Sequence, residues 1–484
     1  MAKIKSAEAS RHDTIQAQML IDGHWRSGAE QYDVVDPYRN EIVGSAPVST
    51  AADLDDALSS AVGAKAKAAA VPGYERAALL HRVVALLDQR AEEIAQLITR
   101  EIGKALKDSR AEVARARDTL VLSAEEAVRI EGEHVPLDAS AMGAGKIAML
   151  LRFPVGVVAG ITPFNAPFNL AVHKVGPALA AGNVIVLKPP PQAPLCVYKL
   201  AELFVDAGIA PGMLNVVYGN EVGPLLVRDE RVDFVTFTGS TRVGAEIKAA
   251  SGLRRVALEL GGTGQTIIHA DGDVESAATM CARNAMRLAG QSCISVQNVY
   301  AHESIYDVFV KRFAEEVKKL KVGDPLDPET DVGTVVDERA AIRVESWIRE
   351  AAMGGARVLT GGNRTGAQVE PTLLVNVDPS MKVVCDEIFG PAASVQRYSD
   401  LEEIIKIVSD SKFGLQCGIF TGSVTTALDA ARRLRTGGVI INGTSTWRVD
   451  QGPYGGVKSS GIGREGPRYA IRDMTDERLV VFNM

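Results

Sequence analysis

Val155-Gly156-Val157-Val158-Ala159-Gly160-Ile161 is the stretch on which the fold turns. It is apolar at every position and does not alternate. A strand with one wet face alternates polar and apolar residues, whereas a strand covered on both faces does not. The chain keeps this rhythm downstream. Apolar residues at helical spacing over 168–181, 194–207, 222–228 and 243–250 alternate with short apolar runs at 184–187, 214–218, 234–237 and 256–260. Strands buried on both faces and separated by helices predict a parallel, doubly wound α/β sheet. Its ligands are expected at the carboxyl ends of the strands.

A second α/β series follows Gly261-Gly262, with strands at 266–268, 296–301, 358–359, 418–420 and 438–441 and helices at 303–321 and 424–435. Before residue 155, Met19-Leu20-Ile21-Asp22-Gly23-His24-Trp25 reads as a short strand and a turn. Helical spacing covers 54–70, 74–109 and 111–130, and residues 1–17 read as a loose polar leader. Residues 146–152 read as an edge strand that makes a small sheet with 478–484. Exposed apolar strands need a partner, so a homo-oligomer is expected.

Composition narrows the function. The 484 residues exceed one ordinary core, so two or three units are expected, and 46% hydrophobic with 23% charged residues is ordinary for a globular chain. A net charge of −7, with no basic run interleaved with aromatics, argues against nucleic acid or an anionic membrane as partner. The five cysteines are widely spaced, which predicts neither a disulfide framework nor a metal site. The start carries no apolar signal segment, and 153–187 is interrupted by prolines and polar residues. A cytoplasmic protein without membrane spans is the expectation.

The chemistry centres on Ala289-Gly290-Gln291-Ser292-Cys293-Ile294, a turn of slim residues between a helical stretch (274–288) and a strand (295–301). A thiol raised on such a turn is how a nucleophile is presented. Taken alone, a cysteine is more often a structural residue. Here the rest of the chain supplies matching groups. Glu259 ends a strand and is followed by two glycines, the setting of a base. Asn165, between Pro163 and Pro167, can donate to an oxyanion. Thr238-Gly239-Ser240-Thr241-Arg242-Val243-Gly244 passes from strand to helix, where backbone N–H groups suit a pyrophosphate. Lys188 ends a strand and can reach a ribose or phosphate. Glu387, two residues before Phe389, offers a carboxylate for ribose hydroxyls beside an aromatic face.

In this order, and closing with Pro453-Tyr454-Gly455-Gly456-Val457-Lys458-Ser459-Ser460-Gly461, these stretches resemble the aldehyde dehydrogenase superfamily from about residue 20 to the end. The resemblance implies two doubly wound α/β domains, a Rossmann-like cofactor domain over 18–134 and 154–260 and a catalytic domain over 261–446. It also implies oligomerisation strands over 135–153 and 469–484, and a homodimer or homotetramer. Cys293 would attack the aldehyde, with the Asn165 side chain and the Cys293 N–H on the oxyanion. Hydride would pass to a nicotinamide, and Glu259 would activate the water that releases the acid. Lys188 and Glu387 would bind the riboses and Ser240 a phosphate. Gly239, Gly244, Thr162, Phe164 and Phe389 would line the rest of the cofactor site.

Three departures from the family pattern bear on the details. Where NAD-preferring members often carry Glu, this chain has Pro191, so NAD is expected with NADP open. Thr263-Gly264-Gln265 replaces the usual Asn-x-Pro. Trp447-Arg448-Val449-Asp450 is similar to the branch acting on lactaldehyde, phosphonoacetaldehyde or glyceraldehyde 3-phosphate, where the Arg can face an anionic tail. Arg448 therefore predicts a small anionic aldehyde, unless it pairs with Asp450 or Asp118. Ser292 stands where phosphate-type members place a second Arg, for which Arg110 or Arg117 could compensate. A general oxidiser of neutral aldehydes, acyl transfer to coenzyme A and a purely structural dinucleotide-binding role are the competing readings.

Overall fold

The structure is a computed structural model and describes residues 14–484. Most of the expected polar leader lies outside the described residues. Its end is a correction: Ile15–Gln16 is a strand, paired in parallel with Ile42–Val48. Gly44 permits the approach, since a Cβ there would overlap the carbonyl oxygen of Ile15.

An eight-stranded sheet runs in the order Gly461–Ile462, Arg255–Glu259, Phe234–Thr238, Val157–Ile161, Val184–Lys188, Leu214–Val216, Met19–Ile21, His24–Arg26. The strands from Arg255–Glu259 to Leu214–Val216 are mutually parallel, and both edges of the sheet are antiparallel. Val157–Ile161 is wholly buried, as a run without alternation requires. The chain leaves it first toward Val184–Lys188 and later returns to its other side with Phe234–Thr238. A crevice opens at such a reversal of strand order, outside the carboxyl ends.

The other large sheet has seven strands in the order Arg357–Thr360, Thr372–Val375, Ala392–Tyr398, Asn298–His302, Gln265–Ile268, Gln416–Phe420, Gly438–Ile441. Both sheets are α/β and largely parallel, as expected. Two strands of the second, Thr372–Val375 and Ala392–Tyr398, are absent from the sequence reading, as are the helices Glu338–Met353 and Leu401–Asp410.

Two expected boundaries are corrected. The helical pattern over 74–109 breaks earlier, giving Gly73–Ile102 and Leu106–Ala127. Gly103 makes the break: its φ is +70°, and a Cβ would overlap Thr334 Oγ1. A glycine within a strong apolar period is easily read through, because the period continues on both sides. Lys146–Pro154 is the middle strand of its sheet, not an edge, between Glu133–Val135 and Thr475–Asn483. Among the described residues no helix is long and apolar enough to cross a membrane, no cluster of His, Cys, Asp or Glu could hold a metal ion, and the five cysteines are unpaired.

Candidate active site

The cysteine turn is held under backbone strain. After the helix Val274–Met286, residues Leu288, Ala289 and Gly290 take φ of +56°, +50° and +71°. Left-handed backbone costs a non-glycine residue about 1–2 kcal/mol, so neighbouring groups must hold the turn in place. Arg287 pairs with Asp108 at 2.7 Å. Gln291 Oε1 accepts from Val336 N at 2.9 Å, and Ile294 O accepts from Ser445 Oγ and Thr446 Oγ1 at 3.0 and 2.9 Å. Cys293 is half-buried, with its Sγ 3.7 Å from Glu259 Oε2 and 3.0 Å from the Tyr454 hydroxyl.

Glu259 ends its strand buried, and its Oε1 has no hydrogen-bond partner. Burial and then the negative charge of Glu465 push its carboxyl up to about 8, against the pull of Arg448 and Lys174. Burial pushes the Cys293 thiol well up too, and the Glu259 charge adds to this. A carboxyl that titrates near neutrality beside a thiol is suited to accept its proton.

Asn165 Nδ2 donates to Gln291 O at 3.0 Å, so its amide lies against the cysteine turn. Its loop is clamped from beneath. Lys104 donates to Asn165 O at 3.3 Å and pairs with Glu112. The other oxygen of Glu112 accepts from Phe168 N and Asn169 N at 2.8 and 3.0 Å, capping the helix Pro167–Ala180.

The dinucleotide candidates rim the crevice. Thr162, Lys188, Gly239-Ser240 and Glu259 all stand at carboxyl ends of the parallel strands. Thr162 Oγ1 is buried without a partner. Lys188 is buried, which lowers its ammonium pKa to about 8. Ser240 is exposed and caps the helix Thr241–Ala250, its Oγ accepting from Val243 N at 3.4 Å. Gly239 donates its N–H to Glu259 O at 3.0 Å. Gly244 works by being small: a Cβ would overlap Leu260, so the glycine lets helix and strand close up. Glu387 Oε1 accepts from Gly262 N at 3.1 Å, and burial pushes its carboxyl up to about 7. Phe389, at φ +47°, meets Phe164 edge to face at 5.8 Å. An unpartnered hydroxyl, a buried ammonium, an open helix amino end and a carboxylate are the donors and acceptors that NAD(P) presents groups for. The residues fit it.

The second sheet approaches from its opposite end. Gly262, Cys293, Glu387 and Phe389 all precede its parallel strands, so the amino ends of one sheet face the carboxyl ends of the other.

On the substrate side two expectations change. Arg110 lies on the surface in an exposed pair with Glu92 at 2.8 Å. Arg117 likewise pairs outward with Asp88 and Asp118. Arg115, on the same helix, is the residue brought inward, gripping Asp450 through two hydrogen bonds of 3.0 and 2.7 Å. Arg448 pairs with neither Asp450 nor Asp118. It bonds Glu465 Oε2 at 2.9 Å and lies 3.9 Å over the Tyr454 ring, with its Nε buried and unpartnered. Glu465 is held low because Lys174 and Arg448 outweigh its burial. Ser292, half-buried, is followed by a tight turn in which Ser295 N donates to its carbonyl at 3.0 Å.

Arg115, Tyr454, Glu465 and Lys174 were missed by motif reading. A signal existed for Arg115. Glu112, Arg115 and Thr119 share one helix face by spacing, and Glu112 and Thr119 are buried.

The profile of the aldehyde dehydrogenase family matches residues 25–480. The chain is 46% identical to the 3-sulfolactaldehyde dehydrogenase of Priestia aryabhattai, over 97% of this chain and 98% of that one. Its structure is similar to that of aldehyde dehydrogenase 21 from Physcomitrella patens in complex with the reaction product succinate, with a TM-score of 0.95, 40% identity and coverage of 97% and 99%. It is also similar to the NADP-dependent glyceraldehyde-3-phosphate dehydrogenase of Bacillus halodurans complexed with NADP, with a TM-score of 0.95, 35% identity and coverage of 97% and 100%.

Proposed function

The chain belongs to the aldehyde dehydrogenase family, and from that premise we propose that it oxidises a small aldehyde with an anionic tail to the carboxylic acid, using NAD or NADP. The observation that carries the anionic tail is Arg448: a buried guanidinium with an unpartnered Nε, lying over a ring whose hydroxyl touches Cys293. Arg115 stands behind Arg448, joined to it through Asp450 and His173, whose Nε2 lies 2.9 Å from Asp450 Oδ1 and 3.3 Å from Arg448 Nη2. Guanidinium matches the planar or tetrahedral oxygens of carboxylate, sulfonate and phosphonate. The named relatives act on sulfolactaldehyde and glyceraldehyde 3-phosphate or hold succinate as product, which supports this class of tail.

The residues divide the work as follows. Glu259 takes the thiol proton, and Cys293 attacks the carbonyl carbon. The Asn165 amide and the Cys293 N–H hold the oxyanion, and each such donor is worth about 3–4 kcal/mol in the transition state. When bound, the nicotinamide supplies the hydride acceptor, and the carbon is left as a thioester on Cys293. Glu259, after passing the thiol proton to solvent, activates the water that releases the acid. Thr162, Lys188, Ser240, Glu387 and Phe389 would hold the cofactor. Residues 18–134 and 154–260 form the cofactor domain and 261–446 the catalytic domain. The strands Glu133–Val135, Lys146–Pro154 and Thr475–Asn483 form the oligomerisation sheet, rather than 135–153 with 469–484, because Pro467–Asp473 is a helix.

The test is reduced-cofactor formation across aldehydes with sulfonate, phosphonate, phosphate, carboxylate and neutral tails, in wild type, Arg448→Ala and Arg115→Ala. Anionic tails should lead, and the variants should lose about 2 kcal/mol, or roughly thirtyfold in kcat/KM, on those substrates alone. Equal turnover of neutral aldehydes, unchanged in the variants, would leave a general aldehyde oxidiser. Acid formed without coenzyme A separates hydrolysis from acyl transfer, the reading that Glu259 disfavours.

A further inference from the structure

Around the reactive sulfur stands one group that the mechanism above does not use. We propose that the Tyr454 hydroxyl is a catalytic group, which donates a hydrogen bond to Cys293 Sγ and holds the thiolate as it forms. This rests on Cys293 being the attacking residue.

The geometry permits one consistent arrangement. Tyr454 is 6% exposed, and its hydroxyl lies 3.0 Å from Sγ. Among the described residues the hydroxyl makes no other hydrogen bond. On its other side the sulfur faces Glu259 Oε2 at 3.7 Å. Once ionised, the Glu259 carboxylate can only accept, so in the reactive state the thiol proton points to Glu259 and the phenol proton points to sulfur. When the S–H bond breaks and its proton passes to Glu259, the O–H···S contact becomes charge-assisted and strengthens. The sulfur lone pair then forms the C–S bond, and the phenol O–H bond stays intact throughout.

The donor is fixed in place. Tyr454 N and O bond the Glu465 backbone at 3.1 and 2.6 Å, Arg448 covers the ring, and Ile294 and Leu415 pack with it. Burial and the neighbouring Cys293 and Glu259 charges keep the phenol protonated far above neutrality, so it remains a donor across the working range. Of the charged groups facing the sulfur, Glu259 and Glu387 oppose a thiolate and Arg448 favours it, as does the hydrogen bond from the neutral Tyr454 hydroxyl. Arg448 therefore joins the anion-binding wall to the donor on the sulfur.

Tyr454→Phe keeps the ring beneath Arg448 and removes only the hydroxyl. The experiment is iodoacetamide alkylation of Cys293 in protein without added cofactor, followed by mass spectrometry across pH, in wild type and Tyr454→Phe, with aldehyde oxidation measured alongside in both and in Cys293→Ala. Loss of one charge-assisted hydrogen bond should slow alkylation at neutral pH about tenfold and move the pH profile up by about one unit. The value of kcat should fall with little change in KM for the aldehyde. Superimposed profiles overturn the proposal. Oxidation surviving in Cys293→Ala overturns instead the reading of Cys293 beneath it. Should the Phe protein not fold, uniform 3-fluorotyrosine, a stronger acid of similar shape, should move the profile down, and no movement then overturns the proposal.

Discussion

Burial makes both Glu259 and Cys293 harder to ionise; the Glu259 charge, 3.7 Å away, adds to this for the thiol, whereas the hydrogen bond from Cys293 favours the Glu259 carboxylate. This has a consequence for pH. A carboxyl raised to about 8 is protonated, and unable to accept, below that pH, and becomes a base above it. The proposed catalysis should therefore rise with pH through about 8. In Glu259→Gln that limb should vanish and kcat should fall by about a hundredfold or more, as a pH series of initial rates would read. An unchanged limb would move the base elsewhere. Cys293, Glu259 and Asn165 were legible as residues because each stands in a marked local context: a small-residue turn, a strand end before two glycines, a loop between prolines. Tyr454 was not, since what gives it meaning is a sulfur 161 residues away.

Among elements, the helix Leu106–Ala127 organises the site without entering its motifs. Through Glu112 it caps the helix behind Asn165, through Asp108 it holds Arg287 ahead of the cysteine turn, and through Arg115 it grips Asp450. Helical spacing tells which of its charges share a face but not what that face meets. Arg110 points to solvent and Arg115 inward for this reason. The cysteine turn makes a sharper prediction. Gly290 sits at φ +71°, and a Cβ would overlap the Gly390 carbonyl. Gly290→Ala should destabilise the protein by on the order of 3 kcal/mol, read by denaturant unfolding, and should slow Cys293 alkylation as the turn shifts. A loss below about 0.5 kcal/mol, the ordinary surface range, would show that the turn is not held as described.

For the whole molecule, the sheet of Glu133–Val135, Lys146–Pro154 and Thr475–Asn483 stands apart from both large sheets. Its register puts Ile147, Met149 and Leu151 on one face with Val480 and Phe482, and Ile147 and Phe482 are 45% and 47% exposed. An apolar strand face of this kind asks for a second copy of the chain. We expect sedimentation to give a dimer or tetramer, and Met149→Lys with Phe482→Lys to shift it toward monomer. A wild-type monomer at micromolar concentration would remove the oligomer from the proposal. The sequence by itself determined the α/β class, the family and the backbone settings of Cys293, Glu259 and Asn165. Periodicity and turn chemistry are local, and a family's motifs survive as strings. Only the tertiary structure decided that the amino ends of one sheet meet the carboxyl ends of the other, that Arg115 rather than Arg110 turns inward, and that Arg448 binds Glu465 and covers Tyr454. Those are contacts between residues distant in the chain, and the packing of whole elements chooses them.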